Sequence, residues 1–260
     1  MTLMKATYLT LLILLSLSFS TSYAQNKKSW QWQLQGKINT SYDVDIYDID
    51  LFDSSPELIK SLQEQGRQVI CYFSAGSYEN WREDRETFPP SSIGKTMHNW
   101  KNERWLDISN IELQEVMKKR LDLAVKKGCD GVEPDNVDGY LHKTGFKLYS
   151  KDQLKYNKFL AKEAHKRSLL IGLKNDMRQI KKLEPYFDFA VNEQCYKYKE
   201  CKRLKPFIKA NKPVLHVEYS KKYRTNSHAR EKLCSYTSDL NLSTLILSVK
   251  LNDAFRYSCD

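Results

Sequence analysis

Beyond its first 24 residues this chain has no apolar run near the roughly 20 residues that cross a bilayer, so no later segment reads as a membrane span. Metal-ligand spacing is missing as well. No two cysteines are separated by two to four residues and the five histidines are scattered, which argues against a zinc site. The first strand-like stretch leads into "DIDLFDSS", which has no glycine-rich phosphate turn and so counts against a doubly wound, nucleotide-binding sheet. Nor is there a basic stripe interleaved with aromatics. Lysine and arginine total 42 against 32 acids, but they are spread over helical stretches such as "KEAHKRS", "VMKKRLDLAVKK" and "CKRLKPFIKA". Solvated helix faces account for that pattern, and neither nucleic acid nor an anionic membrane is expected as a partner.

The apolar run that does occur lies at the start. Lys5, the stretch "YLTLLILLSLSFS" and the small residues Ser22 and Ala24 around Tyr23 have the order of a signal peptide with its cleavage site. The reading is therefore a signal peptide over 1–24 and a single domain over 25–260, secreted or periplasmic and monomeric. Removing Lys5 leaves 41 basic against 32 acidic residues, a balance of +9. Export gives the six cysteines a meaning, since an even number can pair fully in an oxidising compartment. Cys195 with Cys201 would close a small loop and Cys234 with Cys259 would tie the last helix to the C-terminus. Cys71 and Cys129 remain as a third pair or as two buried thiols.

From Val44 onward short apolar runs alternate with amphipathic stretches, the pattern of β-α units around a parallel sheet. Eight runs qualify as strands: 44–50, 68–73, 104–108, 130–136, 169–175, 189–194, 213–219 and 244–250. The helical stretch "SPELIKSLQEQG" closes at Gly66, and another closes at Gly128. Eight units in about 235 residues predict a (β/α)8 barrel, a TIM-like fold, with an open doubly wound sheet as the alternative.

In such a barrel the C-terminal strand ends share one face, where the active site lies. That frame gathers acids from separate strands: Asp48 and Asp50 with Tyr72 and Ser74, then Asp107, then Glu133, Asp135 and Asp138 of "GVEPDNVDGY". Lys174, Asn175 and Asp176 follow, with Asn192 and Glu193, then Glu218 and Tyr219, and finally Lys250. Any one of these acids could be a helix cap, but the series favours a cleft of carboxylates. Three uses compete: a magnesium or calcium site built from oxygens, an acid and base pair for glycoside cleavage, and recognition of a cationic ligand. The second and third need no metal, and no cofactor is expected. Aromatic platforms for sugar could come from Trp30, Trp32, Tyr72, Trp81, Trp100, Trp105, Tyr140, Tyr196 and Tyr219.

The ordered motifs "WQWQLQG", "DVDIYDIDLFD", "VICYFSAGSYENWRED", "WLDI", "GVEPDNVDGY", "GLKND", "NEQC" and "VEY" resemble those of glycoside hydrolase family 114, the endo-α-1,4-polygalactosaminidases. The likeness runs from Trp30 to Tyr219 and fades after it. It implies a (β/α)8 barrel and endo-cleavage of α-1,4-linked, partly N-acetylated galactosamine polymers. It places Asp135 and Glu193 as the catalytic carboxylates, with Asp48, Asp50, Tyr72, Lys174, Asn175, Glu218 and Tyr219 lining the cleft. Among the residues themselves, Glu133 with Glu218 remains the rival catalytic pair, and Glu133 and Asp138 count as substrate-binding. A ring of carboxylates suits a de-acetylated, cationic polysaccharide even on a protein that is basic overall. Two other functions compete: an exported carbohydrate-binding barrel without turnover, and a hydrolase for another α-linked polysaccharide.

Overall fold

A computed structural model describes residues 27–259; the signal-peptide reading over 1–24 lies outside them. The strands are β1 (Trp30–Gln33), β2 (Ile46–Asp50), β3 (Gln68–Ser74), β4 (Ser77–Glu79), β5 (Ile93–Thr96), β6 (Glu103–Leu106), β7 (Gly131–Asp135), β8 (Leu170–Lys174), β9 (Phe189–Glu193), β10 (Val214–Glu218), β11 (Ser243–Leu247) and β12 (Arg256–Ser258). The helices are α1 (Pro56–Glu64), α2 (Leu113–Lys127), α3 (Ser150–His165), α4 (Ile180–Leu183), α5 (Lys205–Lys209), α6 (Lys221–Thr225) and α7 (Ser227–Asp239).

Eight parallel strands run β1-β2-β3-β7-β8-β9-β10-β11, and β12 joins β11 antiparallel at the end. This is the expected TIM-like barrel, with the seam between its two ends closed by side chains. The Trp30 indole N–H donates to Ser243 O at 3.1 Å, and Arg256 of β12 donates to Trp30 O and to Gln31 Oε1 at 2.9 and 2.7 Å.

One predicted barrel strand is misplaced. Residues 104–108 contribute to β6, which pairs antiparallel with β4 and β5 in a separate three-stranded sheet inserted between β3 and α2. The eighth barrel strand is instead β1, whose "WQWQ" pairs in parallel with β2 through Trp32 opposite Asp48. Its four residues are all buried, so the polar glutamines face protein on one side and the tryptophans fill the interior on the other. Asp107 accordingly leaves the barrel mouth and accepts the Ser109 N–H and hydroxyl in a local turn.

Alternation along each strand separates two buried layers. Trp30, Trp32, Ile46, Ile70, Phe189, Val191, Leu215, Val217, Leu245 and Leu247 fill the barrel. Tyr47, Ile49, Val69, Phe73, Val132, Ile171 and Leu173 pack outward with helix residues such as Leu62, Leu121 and Leu160. Gly172 leaves room for the Phe189 ring inside, since a Cβ there would sit 2.4 Å from it. Helix ends follow local chemistry: Ser55 caps α1 with Pro56 at its first position, and Gly128, at φ 85°, ends α2.

The two expected disulfides, Cys195 to Cys201 and Cys234 to Cys259, are present, and Cys71 and Cys129, left open by the sequence, form the third. They indicate an oxidising compartment. No helix among the described residues is long and apolar enough to cross a membrane.

Candidate active site

Because β2, β3, β7, β8 and β9 are parallel neighbours or near neighbours, their inward positions at the C-terminal end converge on one point. Register sets Tyr72 opposite Glu133, and Ser74 opposite Asp135. The centre is the Lys174 ammonium, buried at 2% exposure. Its Nζ lies 2.8 Å from Glu133 Oε1, 3.2 Å from Asp135 Oδ1 and 3.7 Å from Glu193 Oε2. The Trp32 ring lies beneath it, 4.6 Å from Nζ to centroid. Burial disfavours a charged lysine, but the carboxylates of Asp135, Glu133 and Glu193 outweigh that and hold its pKa well above the ordinary value.

Asp135 also accepts the Tyr72 hydroxyl at 3.0 Å and the Asn136 N–H at 2.6 Å. Glu193 accepts the Tyr219 hydroxyl at 2.6 Å and the Asn175 amide at 3.2 Å, while Asn175 Oδ1 takes the Glu193 N–H at 2.9 Å. Each carboxylate is thus fixed in orientation by donors from neighbouring strands. The backbone leaves these strands in an unusual way: Asn136 (φ 62°), Asn175 (φ 47°), Asp176 (φ 41°) and Gln194 (φ 63°) are all left-handed. Such residues cost about 1–3 kcal/mol each and gather at functional sites. Gly76 allows the turn after β7 to approach, since a Cβ there would lie 1.8 Å from Asn136 O.

Beneath Lys174, Asp48 and Glu133 are fully buried. Asp48 has a pKa raised well above the carboxylate range by burial and by Glu133, and Glu133 is raised to about 7 by burial, with Asp135 adding to the shift and Lys174 opposing it.

The other sequence candidates lie apart from this centre. Asp50 is bound by both nitrogens of the Arg82 guanidinium, at 2.9 and 2.5 Å, and accepts the Phe52 and Asp53 N–H groups. Asp138 pairs with His142 at 3.3 Å, whose ring stacks on Trp105 at 4.6 Å. Glu218 follows Val217, a residue of the interior, and so faces the outer layer of β10. There it accepts the Tyr196 and Lys197 N–H groups at 3.0 and 3.1 Å. The Glu133–Glu218 pair therefore lies on opposite faces of the sheet. Lys250 is exposed beyond β11.

Sequence reasoning missed Glu103. From β6 its Oε2 accepts the Ser77 hydroxyl at 2.6 Å, Ser77 meets Ser74 at 2.6 Å, and Ser74 Oγ accepts the Asn136 amide at 2.9 Å. Burial raises Glu103 to about 7, with Glu79 and Asp135 adding to it. The side chains of Cys195, Cys201 and His216 cluster, but the two cysteines are bonded to each other, so no thiolate is offered to a metal there.

Comparison with known proteins gives the family and the fold. The crystal structure of Aspergillus fumigatus Ega3 in complex with galactosamine is 41% identical, covering 93% of this chain and 100% of that one, with a TM-score of 0.85. The glycoside hydrolase domain of PelA from Pseudomonas aeruginosa shares the fold at 13% identity, a TM-score of 0.68 and coverage of 88% and 97%. A MutB double mutant with isomaltulose also shares it, at 8% identity, a TM-score of 0.52 and coverage of 75% and 57%. No curated protein matches in sequence. The profile of glycoside hydrolase family GH114 matches residues 17–260, and the chain belongs to that family of glycoside hydrolases.

Proposed function

We propose that this glycoside hydrolase cuts polymers of α-1,4-linked, partly N-acetylated galactosamine internally, by a retaining double displacement with Asp135 as nucleophile and Glu193 as acid and base. One observation carries the residue assignment: Lys174 Nζ contacts both carboxylates. Its distances of 3.2 and 3.7 Å bound the gap between the two oxygens at about 7 Å. That bound accommodates the roughly 5–5.5 Å of retaining pairs and only the short end of the roughly 6.5–9.5 Å of inverting ones.

In the first step Asp135 attacks the anomeric carbon while Glu193 gives its proton to the glycosidic oxygen. The leaving chain departs as an alcohol and the sugar stays bonded to Asp135. In the second, Glu193 takes a proton from water, whose oxygen displaces Asp135 and restores the starting state. The donors on Asp135 aim one oxygen and hold the charge that returns to it. The galactosamine bound by Ega3, at 41% identity, supports the sugar. So does the chemistry of the cleft, in which Asp135 and Glu193 are each partly exposed to an incoming ammonium group. We assign the mature protein to residues 25–260, as a secreted or periplasmic monomer of one domain working without a metal.

The test uses the mature protein on de-acetylated and acetylated galactosaminogalactan. Asp135→Ala and Glu193→Ala should each lose at least about 100-fold in turnover. Azide should rescue the first variant with the inverted glycosyl azide, and the second with the retained one on a galactosaminide whose leaving group departs without protonation. Near-wild-type turnover in either variant, or binding without oligosaccharide release by the wild type, would overturn the reading.

A further inference from the structure

The buried acids beneath Lys174 cannot reach a sugar as they stand. Asp48 and Glu133 are both 0% exposed, and Asp48 is flanked by its ladder partners Trp32 on β1 and Ile70 on β3. Both oxygens of Asp48 lack a donor from the protein, as does Glu133 Oε2, whereas Glu133 Oε1 is held by Lys174 at 2.8 Å. A buried carboxylate with no donor loses its hydration and gains nothing in return, which costs several kcal/mol. The two carboxyls interact with each other, and a single proton kept between them would remove that cost. Among the described residues the positive charge in contact with this group is Lys174, and it already serves Glu133, Asp135 and Glu193.

We propose that Asp48 and Glu133 hold a single shared proton under the cleft floor, and that this pair fixes Lys174 between Asp135 and Glu193, making both acids positioning residues that do not touch substrate. With the proton present, Asp48 donates to the free oxygen of Glu133, and Glu133 presents one negative charge to Lys174. Without it, a second buried negative charge would draw Lys174 down, away from the two carboxylates it spans. The charged and titratable groups facing the pair are Asp135 from β7, Lys174 from β8, Glu193 from β9 through Lys174, and the hydroxyls of Tyr72 and Tyr219. None of them supplies a proton donor to Asp48. Burial and the charge of Glu133 both act to keep the proton bound.

The kinetic consequence rests on the assignment of Asp135 and Glu193, but the proton itself can be observed without substrate. Infrared difference spectra of wild type against Asp48→Asn at neutral pH should show a protonated-carboxyl carbonyl band that the variant lacks. Matching spectra would overturn the proposal whatever the enzyme cleaves. In turnover, Asp48→Asn keeps a donor for Glu133 and stays neutral. It should retain kcat within about tenfold and remain active further into alkaline pH than the wild type. Asp48→Val, of nearly the same shape but unable to donate, should lose kcat by about 100-fold with KM little changed, the scale of a misplaced catalytic group. Equal losses in the two variants, or a rise in KM with kcat intact, would overturn the positioning role. Thermal melts establish that both are folded, and if Asp48→Val is not, Asp48→Ala takes its place in the comparison.

Discussion

Lys174 shows how much one residue can concentrate. "GLKND" ends a strand, so its lysine could be assigned to the mouth of a barrel from sequence, and so could Asp135 and Glu193. That the three touch was not legible, because contact depends on the register of β7, β8 and β9 and on the left-handed turns after them. Lys174→Met removes the positive charge that Asp135, Glu133 and Glu193 share. We expect kcat to fall at least about 100-fold, the scale of a lost electrostatic contact. The pH profile should change as well, since the buried Glu133 loses the cation that opposes the rise in its pKa. Stability should drop by about 3–5 kcal/mol where the acids remain charged without their partner. A kinetic pH titration with a parallel melt checks both; an unchanged profile would reduce Lys174 to a structural ion pair.

At the scale of elements, the face of a strand decides role. Glu218 and Tyr219 are adjacent in "VEY", yet Tyr219 reaches Glu193 inside while Glu218 holds the loop after β9 from the other side. That loop is also closed by the Cys195–Cys201 disulfide, so Glu218 acts on Glu193 through its backbone. Glu218→Gln keeps an acceptor for the Tyr196 and Lys197 N–H groups and should retain most turnover. Glu218→Ala leaves both N–H groups without it and should lose about tenfold or more. A dead Glu218→Gln with normal folding would restore Glu218 as a catalytic acid.

The inserted sheet carries a different signature. Glu103 lies directly across from Glu79 and is raised to about 7, so between the ordinary carboxylate range and that pH the folded protein binds a proton the unfolded chain has released. Its contribution therefore disappears as pH rises through the window, by at most about 3 kcal/mol. Glu133 and Asp176, also near 7, act in the same direction. Glu103→Gln, which can still accept from Ser77, should lose less stability than the wild type between pH 5 and pH 8. Parallel melts at those two pH values decide it; identical losses would mean that Glu103 titrates normally.

For the whole molecule, charge is divided by location. Exposed lysines such as Lys119, Lys126, Lys151, Lys155 and Lys162 lie on the helices, while Asp48, Glu133, Asp135 and Glu193 form an acidic group at the strand ends. A cationic polymer should therefore bind in spite of the +10 formal charge of the full sequence, and its KM should rise with salt as screening shortens to a Debye length of about 10 Å at 0.1 M. An anionic α-1,4-galacturonan should not be cleaved. Cleavage of it, or a salt-independent KM, would mean that the local field does not select the substrate.

Sequence by itself determined the barrel class and the strand-end position of the acids, because two-residue alternation and closing glycines are local signals, while the bond between Cys71 and Cys129 needed the fold. It misassigned 104–108 and left β1 out, since a strand of four residues in "WQWQ" and one in "RWLDI" look alike until partners are known. Only the tertiary structure decided which acids share Lys174, which one faces away on β10 and which are fully buried. Those outcomes depend on sheet register and on distances between strands far apart in the chain, and the energy of a buried charge depends on what surrounds it in space.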